Sequence, residues 1–351
     1  MRTVIKIGTN VIFDQAGNLD EKRVKNMAQN IARLYHEGNE IILVSSGAVA
    51  AGRFAAPGLS KDTHRKVLAA IGQPRLMEAY TKAFQDCSLN VGQCLISRDD
   101  LMNRESFNNL INIFDGFFSS GVVPIINEND ALAPRNVYND ALAAMLGIAV
   151  QAEHVVFLTN QPGLMTGDPN QDKDVKLIPV VSRVDKEIER LCSKGTSVAG
   201  SGGMISKVKS AEQAVLAGIT VHIADGRVTD IITKIFQGES VGTRFIACAE
   251  KVTSEQKRWL MVAKGYGQIV VDAGAATALK NGKSLLLPGV VAVKGSFEEG
   301  SVVEVSSNGK ILAYGKINFS EKELKKLLAQ RKKTDVKVKE IIHCNYMVVL
   351  K

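Results

Sequence analysis

Short apolar runs rich in Val, Ile and Leu, separated by longer amphipathic stretches, restrict what this chain can fold into more than any other feature. Thr3–Ile7, Glu40–Val44, Val91–Ile96, Val122–Ile126, Val155–Leu158 and Val221–Ala224 read as strands. Between them Val24–His36, His64–Phe84, Arg104–Phe118, Asp140–Val150 and Lys207–Ala217 carry helical periodicity. Gly38-Asn39 ends the first of these helices, because glycine takes the left-handed conformation a helix C-terminus needs. Strands apolar on both faces must be covered on both. The alternation therefore predicts an α/β sandwich of three layers around a mainly parallel sheet.

The texture changes after Ala247. Ser254–Val262 is still helical in period, and short strands follow at Gln268–Val271, Ser284–Leu286, Val290–Val293, Val302–Val305 and Ile311–Ile317. Asn281-Gly282, Pro288-Gly289, Glu299-Gly300 and Asn308-Gly309 punctuate them. Asn-Gly tolerates positive φ at both central positions of a type I′ turn, so these pairs read as hairpin signals. A small β-barrel is expected. Ser320 and Glu323 then form a capping box ahead of Leu324, Leu327 and Leu328, which share one helical face. The chain divides on this reading into a first domain at 1–247, a linker at 248–264 and a β domain at 265–345.

The net charge of +8 comes largely from Lys322–Lys339, a stretch that reads as solvated helix and strand. Trp259, Tyr266, Phe297, Tyr314 and Phe319 are widely spaced through the β domain, which argues against base stacking and so against nucleic acid as a partner. The five cysteines form no CxxC or Cys/His metal spacing and read as small buried hydrophobes of a reducing cytosol. No stretch approaches the roughly 20 apolar residues of a membrane helix, and the N-terminus has no signal-peptide layout. A cytoplasmic protein without membrane association is the expectation.

Four segments lie at strand C-termini or helix N-termini, the edge where open α/β sheets bind ligands. Lys6, in Lys6-Ile7-Gly8-Thr9-Asn10, interrupts an apolar strand, where a buried ammonium needs an anion such as phosphate. Ser45-Ser46-Gly47-Ala48 follows a strand and opens a helix, so small residues and free amides could receive an anionic group. Asn127-Glu128-Asn129-Asp130, with Asn139-Asp140 beyond a short loop, could bind an ammonium, orient lysines or coordinate Mg²⁺. Gly200-Ser201-Gly202-Gly203-Met204-Ile205-Ser206-Lys207 is a glycine loop leading into a helix, suited to wrapping phosphates. It lacks Walker A spacing, and no GxGxxG fingerprint occurs elsewhere. No Ser/His/Asp set is recognisable. A carboxylate acceptor, ionised near neutral pH, would need no general base.

In this order, VIKIGTN, ILVSSGAVAAGR, VVPIINENDA, NDALAA, LTNQPGLMTGDP, GSGGMISK and VGTRF resemble the amino-acid kinase superfamily and, within it, the glutamate 5-kinase family. The later KRWL, GQIVVDAGAATAL, KSLLLPGVVAVKGSFEEGSVVEV and IIHCNYMVVL are similar to the PUA domain of that family. The resemblance implies ATP-dependent phosphorylation of the γ-carboxylate of L-glutamate to γ-glutamyl phosphate, the first step of proline synthesis. Lys6 and Lys207 would neutralise the transferring phosphoryl group, with Asp140 holding both. Ser46, Gly47, Asn127, Asp130 and Asn139 would bind glutamate. Lys6, Gly8, Thr159, Asn160, Ser201, Gly202, Gly203, Met204, Ile205, Ser206 and Lys207 would bind ATP. Mg²⁺ accompanies the nucleotide, and no side chain is assigned to it. The family further implies inhibition by proline, a homo-oligomer (dimer or tetramer) and coupling to γ-glutamyl phosphate reductase. Asn160 stands where the family has Asp, Tyr138 where it often has an acid, and Ala143 where it often has Ser. Another acidic acceptor (aspartate or N-acetylglutamate), or an RNA-binding or regulatory role for the β domain, stays open on the sequence.

Overall fold

A computed structural model describes residues 1–14, 16–132, 138–167, 174–193, 203–247, 251–263, 265, 267–330 and 339–350. Met1–Asp100 with Glu105–Lys251 forms one compact unit, and Leu101–Arg104 with Val252–Lys351 a second. Among the described residues no helix is long and apolar enough to cross a membrane.

The first unit is built on eight strands: β1 (Arg2–Ile7), β2 (Glu40–Ser45), β3 (Asn90–Ile96), β4 (Val122–Glu128), β5 (His154–Thr159), β6 (Val180–Val181), β7 (Thr220–Asp225) and β8 (Thr243–Phe245). Their order across the sheet is β3-β4-β2-β1-β5-β7-β8-β6. Pairing is parallel from β3 through to β7, and β8 returns antiparallel against β7. In β1, β2, β4 and β5 every residue after the first is buried. That is the pattern of strands covered on both faces, and the fold is the α/β sandwich expected from the alternation.

Side-chain alternation assigns the two faces. Ile5, Ile7, Ile41, Leu43, Ile125, Val156 and Leu158 face the helices Glu21–His36 and Lys61–Gln85 in one apolar cluster. The even positions of β1, Val4 and Lys6, point the other way, toward the helix Asn139–Ala149, which packs on β1 and β5. Strands are added on one side of β1 by the early chain and on the other by β5 and β7. The sheet therefore reverses its order between β1 and β5, and ligands of open α/β sheets sit at such a point.

The second unit holds β9 (Gln268–Val271), β10 (Val290–Lys294), β11 (Val302–Ser307), β12 (Lys310–Lys316) and β13 (Met347–Val349), ordered β10-β9-β11-β12-β13. Ile269, Val305, Ala313, Ile317 and Leu324 share its core. Asn308 (φ 50°) and Gly309 (φ 75°) turn β11 into β12, as a type I′ hairpin requires. The other Asn-Gly pair is corrected by the structure. Asn281-Gly282 ends a helix, Ala273–Lys280, that the strand reading missed. Asp272 caps that helix by accepting from the Ala275 amide at 2.7 Å, and Gly282 leaves it at φ 73°. Ser284–Leu286 is likewise no strand, with Leu285 alone bridging to Ile342. The capping box forms in both directions: Ser320 N and Oγ donate to Glu323 Oε2 at 2.9 and 2.7 Å, and Glu323 N donates to Ser320 Oγ at 3.4 Å.

In the first unit, the helices Ala48–Ala55 and Lys61–Gln85 touch backbone to backbone. A Cβ added at Gly72 would lie 1.9 Å from the Ala48 carbonyl oxygen, and one at Gly52 1.9 Å from that of Leu68. Neither backbone can yield as a flexible side chain would. Gly72→Ala is expected to lower stability by about 2–3 kcal/mol, read as a fall in the urea midpoint at unchanged slope.

Candidate active site

Parallel strands place their C-termini on one edge, so Ile7, Ser45, Glu128 and Thr159 end side by side. The helix Asn139–Ala149 begins over that edge with two residues that point to different partners.

Asp140, in the first turn, is buried at 2% exposure. Its Oδ1 lies 2.7 Å from Lys6 Nζ, and its Oδ2 accepts from Lys207 Nζ at 3.1 Å. Lys6 comes from β1 and Lys207 from the first turn of the helix Met204–Leu216. Both lysines are themselves buried, at 6% and 8% exposure. Burial pushes the Asp140 carboxyl up, but the Lys6 and Lys207 ammonium groups together outweigh it and hold the group below the usual carboxylate range. Burial lowers the Lys6 pKa; Asp140 opposes the shift and the neighbouring Lys207 adds to it. A carboxylate at a helix N-terminus is favoured by the helix dipole as well. One anion holds two cations here, so the three groups together carry a net charge of +1.

Asn139, one residue earlier, donates from Nδ2 to Ser46 Oγ and to Asn127 Oδ1, both at 3.1 Å. Asn127 donates from its own Nδ2 to Gln73 Oε1 at 2.9 Å. The Glu128 amide closes the group by donating to Asn127 Oδ1 at 2.9 Å and Asn139 Oδ1 at 3.3 Å. Gly47, at φ 115°, precedes the helix Ala48–Ala55, and a Cβ there would fall 2.6 Å from the Phe13 ring. Asp130, buried, accepts from Arg65 Nη2 at 3.2 Å.

Thr159 and Asn160 lie across the reversal point from β2. Thr159 is buried and donates to Asn160 Oδ1 at 3.4 Å, whereas Asn160 is exposed. The Asn160 carbonyl accepts from Arg227 Nη2 at 2.8 Å, and Asp225 at the end of β7 fixes the same guanidinium at 2.7–3.2 Å. Gly8 donates its amide to the Leu158 carbonyl at 2.9 Å. Gly203 precedes the helix that starts at Met204 and carries Ile205, Ser206 and Lys207 in its first turn. Ser201 and Gly202 lie outside the described residues.

The structure thus gathers Lys6, Lys207 and Asp140 into one cluster and Ser46, Asn127 and Asn139 into an adjacent one. Tyr138 is 53% exposed and its side chain makes no capping bond to the helix behind it, while Ala143 is fully enclosed. Gln73, Arg65, Asp225 and Arg227 escaped the sequence reading. Asp225 could have been found, since it ends a strand at the same edge; Gln73 and Arg65 sit inside a helix with no local signal. Among the described residues no three His, Cys, Asp or Glu side chains gather as a metal cage. Both oxygens of Asp140 are engaged by lysines.

The model of the amino acid kinase family matches residues 1–225, and that of the PUA domain matches residues 267–342. The chain is 38% identical over 367 residues to glutamate 5-kinase of Dehalococcoides mccartyi (strain CBDB1), covering 99% of this chain and 98% of that protein. Glutamate 5-kinase of Photobacterium profundum is 38% identical over 344 residues, covering 95% of this chain and 91% of its own. Among solved structures, carbamate kinase from Giardia lamblia bound to AMP-PNP aligns with a TM-score of 0.52 at 20% identity, over 70% of this chain and 98% of its own. An isopentenyl phosphate kinase gives 0.51 at 16% identity, over 70% and 100%. These two share the fold of the first unit.

Asp140 titrates lower in the folded protein than its unfolded value of about 3.9. Its contribution to stability is therefore present above about pH 4 and lost as pH falls through the folded pKa. Asp140→Asn leaves two buried ammonium groups without their anion, at an expected cost of about 3–5 kcal/mol at pH 7. The gap to the unsubstituted protein should narrow toward about pH 3; urea denaturation at both pH values measures it.

Proposed function

The chain belongs to the amino acid kinase family and is a kinase, and from that premise we propose that it transfers the γ-phosphoryl group of ATP to the γ-carboxylate of L-glutamate. The observation that carries this reading is the buried cluster of Lys6, Asp140 and Lys207 with its surplus positive charge.

Phosphoryl transfer between two anions is an electrostatic problem, because an ionised carboxylate must approach a polyphosphate. A fixed pair of ammonium groups in a site of low polarity stabilises the charge that spreads over the phosphoryl oxygens. A γ-carboxylate oxygen of glutamate attacks the γ-phosphorus. The new O–P bond forms as the bond to the β-phosphate oxygen breaks, and ADP leaves with the electron pair. No proton moves, since the acceptor is already ionised at neutral pH. This agrees with a cluster that contains no general base. Mg²⁺ bound to ATP would supply further charge neutralisation, and no side chain of the cluster is assigned to hold it.

Ser46, Gly47, Asn127 and Asn139 are assigned to the acceptor carboxylate, and Asp130 to the ammonium of glutamate. Gly8, Thr159, Asn160 and the segment 201–207 are assigned to ATP. A domain of 1–247 would then hold both substrates, joined through 248–264 to the β domain of 265–345. Inhibition by proline, a place at the start of proline synthesis and assembly into dimers or tetramers come with the glutamate 5-kinase resemblance.

Incubation with MgATP, glutamate and hydroxylamine traps an acyl phosphate as hydroxamate, and a glutamate-dependent signal is expected. Its absence at millimolar glutamate would reject the reading; larger signals with aspartate or N-acetylglutamate would shift the acceptor. Lys6→Ala and Lys207→Ala should each lower kcat by about 100-fold or more. Near-normal turnover in both would remove the phosphates from this cluster.

A further inference from the structure

The mechanism above leaves one cation unused at the acceptor end. Arg65 Nη2 donates to Asp130 Oδ1 at 3.2 Å. The Asp130 side chain is 10% exposed and that of Arg65 39%. Arg65 Nε is enclosed and, among the described residues, has no hydrogen-bond partner. The residue follows His64, whose φ of −122° and ψ of 19° kink the helix Lys61–Gln85 at that point. Gln73 lies further along the same helix and holds Asn127. The element that carries Arg65 is therefore also the one that fixes the acceptor amides.

A guanidinium is a planar fork of five donors, matched to carboxylates. Asp130 uses one arm of that fork, and the Arg65 side chain stays 39% exposed beside it, so a second carboxylate can reach the same guanidinium. Asp130 in turn uses Oδ1 on Arg65, and among the described residues no second cation is paired with its carboxylate. An α-amino acid carries an ammonium and a carboxylate on one carbon, so it can lie against this pair with each charge facing its opposite. We propose that Arg65 reads the α-carboxylate of the acceptor while Asp130 reads its α-ammonium, which restricts the site to free α-amino acids. The inference rests on the glutamate reading and adds to it a residue that sets specificity. An acceptor acylated on nitrogen would leave Asp130 without its second cation. One lacking the α-carboxylate would leave the exposed part of the guanidinium without a second anion.

The test compares glutamate with 4-aminobutanoate, which keeps the ammonium and the reacting carboxylate but has no α-carboxylate. Arg65→Ala should raise the KM for glutamate about 10- to 100-fold, the worth of a hydrogen bond between charged groups. The kcat should change by less than about threefold. The constant for 4-aminobutanoate should stay put, read as KM or as Ki against glutamate where turnover is too slow. Arg65→Lys should recover part of the loss for glutamate. A merely structural role would weaken both ligands alike, so equal losses overturn the proposal, as does an unchanged KM for glutamate. If Arg65→Ala does not fold, Arg65→Lys keeps the charge without the fork, and an unchanged ratio between the two ligands in that variant is equally fatal. Failure of the unsubstituted protein to phosphorylate glutamate is a different result and overturns the glutamate reading itself.

Discussion

Enclosing an ammonium group costs several kcal/mol of lost hydration even after a protein relaxes around it. Lys6 and Lys207 bear that cost side by side, and among the described residues one carboxylate, Asp140, engages both. Within this triad two cations repel each other and share one anion, so the three groups keep a net positive charge. A bound anion would offset that surplus. That surplus lies at the point where the sheet reverses its order.

The first turn of the helix Asn139–Ala149 connects this cluster to the rest of the site. Successive helical residues point about 100° apart, which lets Asn139 face Ser46 and Asn127 while Asp140 faces the lysines. One backbone segment thereby fixes the distance between the two clusters. The helix behind it is buried along nearly its whole length, so this spacing is backed by core packing rather than by a loop. Positions held by a packed element serve a reaction in which orientation supplies much of the rate.

The sheet was legible because its strands are apolar on both faces, a pattern with few alternatives. Lys6 was legible for the same reason: a charge within such a run has no cheap explanation. Asn139 and Asp140 stood out as polar groups beyond an apolar strand, but the residues left three readings open there, and only the resemblance implied that Asp140 holds the lysines. Ala273–Lys280 was missed because Asn281-Gly282 suits a helix end as well as a hairpin, both needing positive φ, and Asp272 was not weighed as a cap. Arg65 and Gln73 could not be read at all. Their roles depend on where the long helix Lys61–Gln85 passes the ends of β2 and β4, and that path is set by the backbone contact at Gly52 and Gly72.

The side-chain amides beneath the acceptor region form a chain with a sense of direction. Gln73 receives from Asn127, Asn127 receives from Asn139, and Asn139 gives to the Ser46 oxygen. Reversing any one amide would set like groups against each other, so the members hold or turn together. Ser46 ends the series as a recipient, which leaves its own hydroxyl proton to be offered outward. One lone pair of that oxygen is taken by Asn139, so the group keeps one proton to give and one lone pair with which to take.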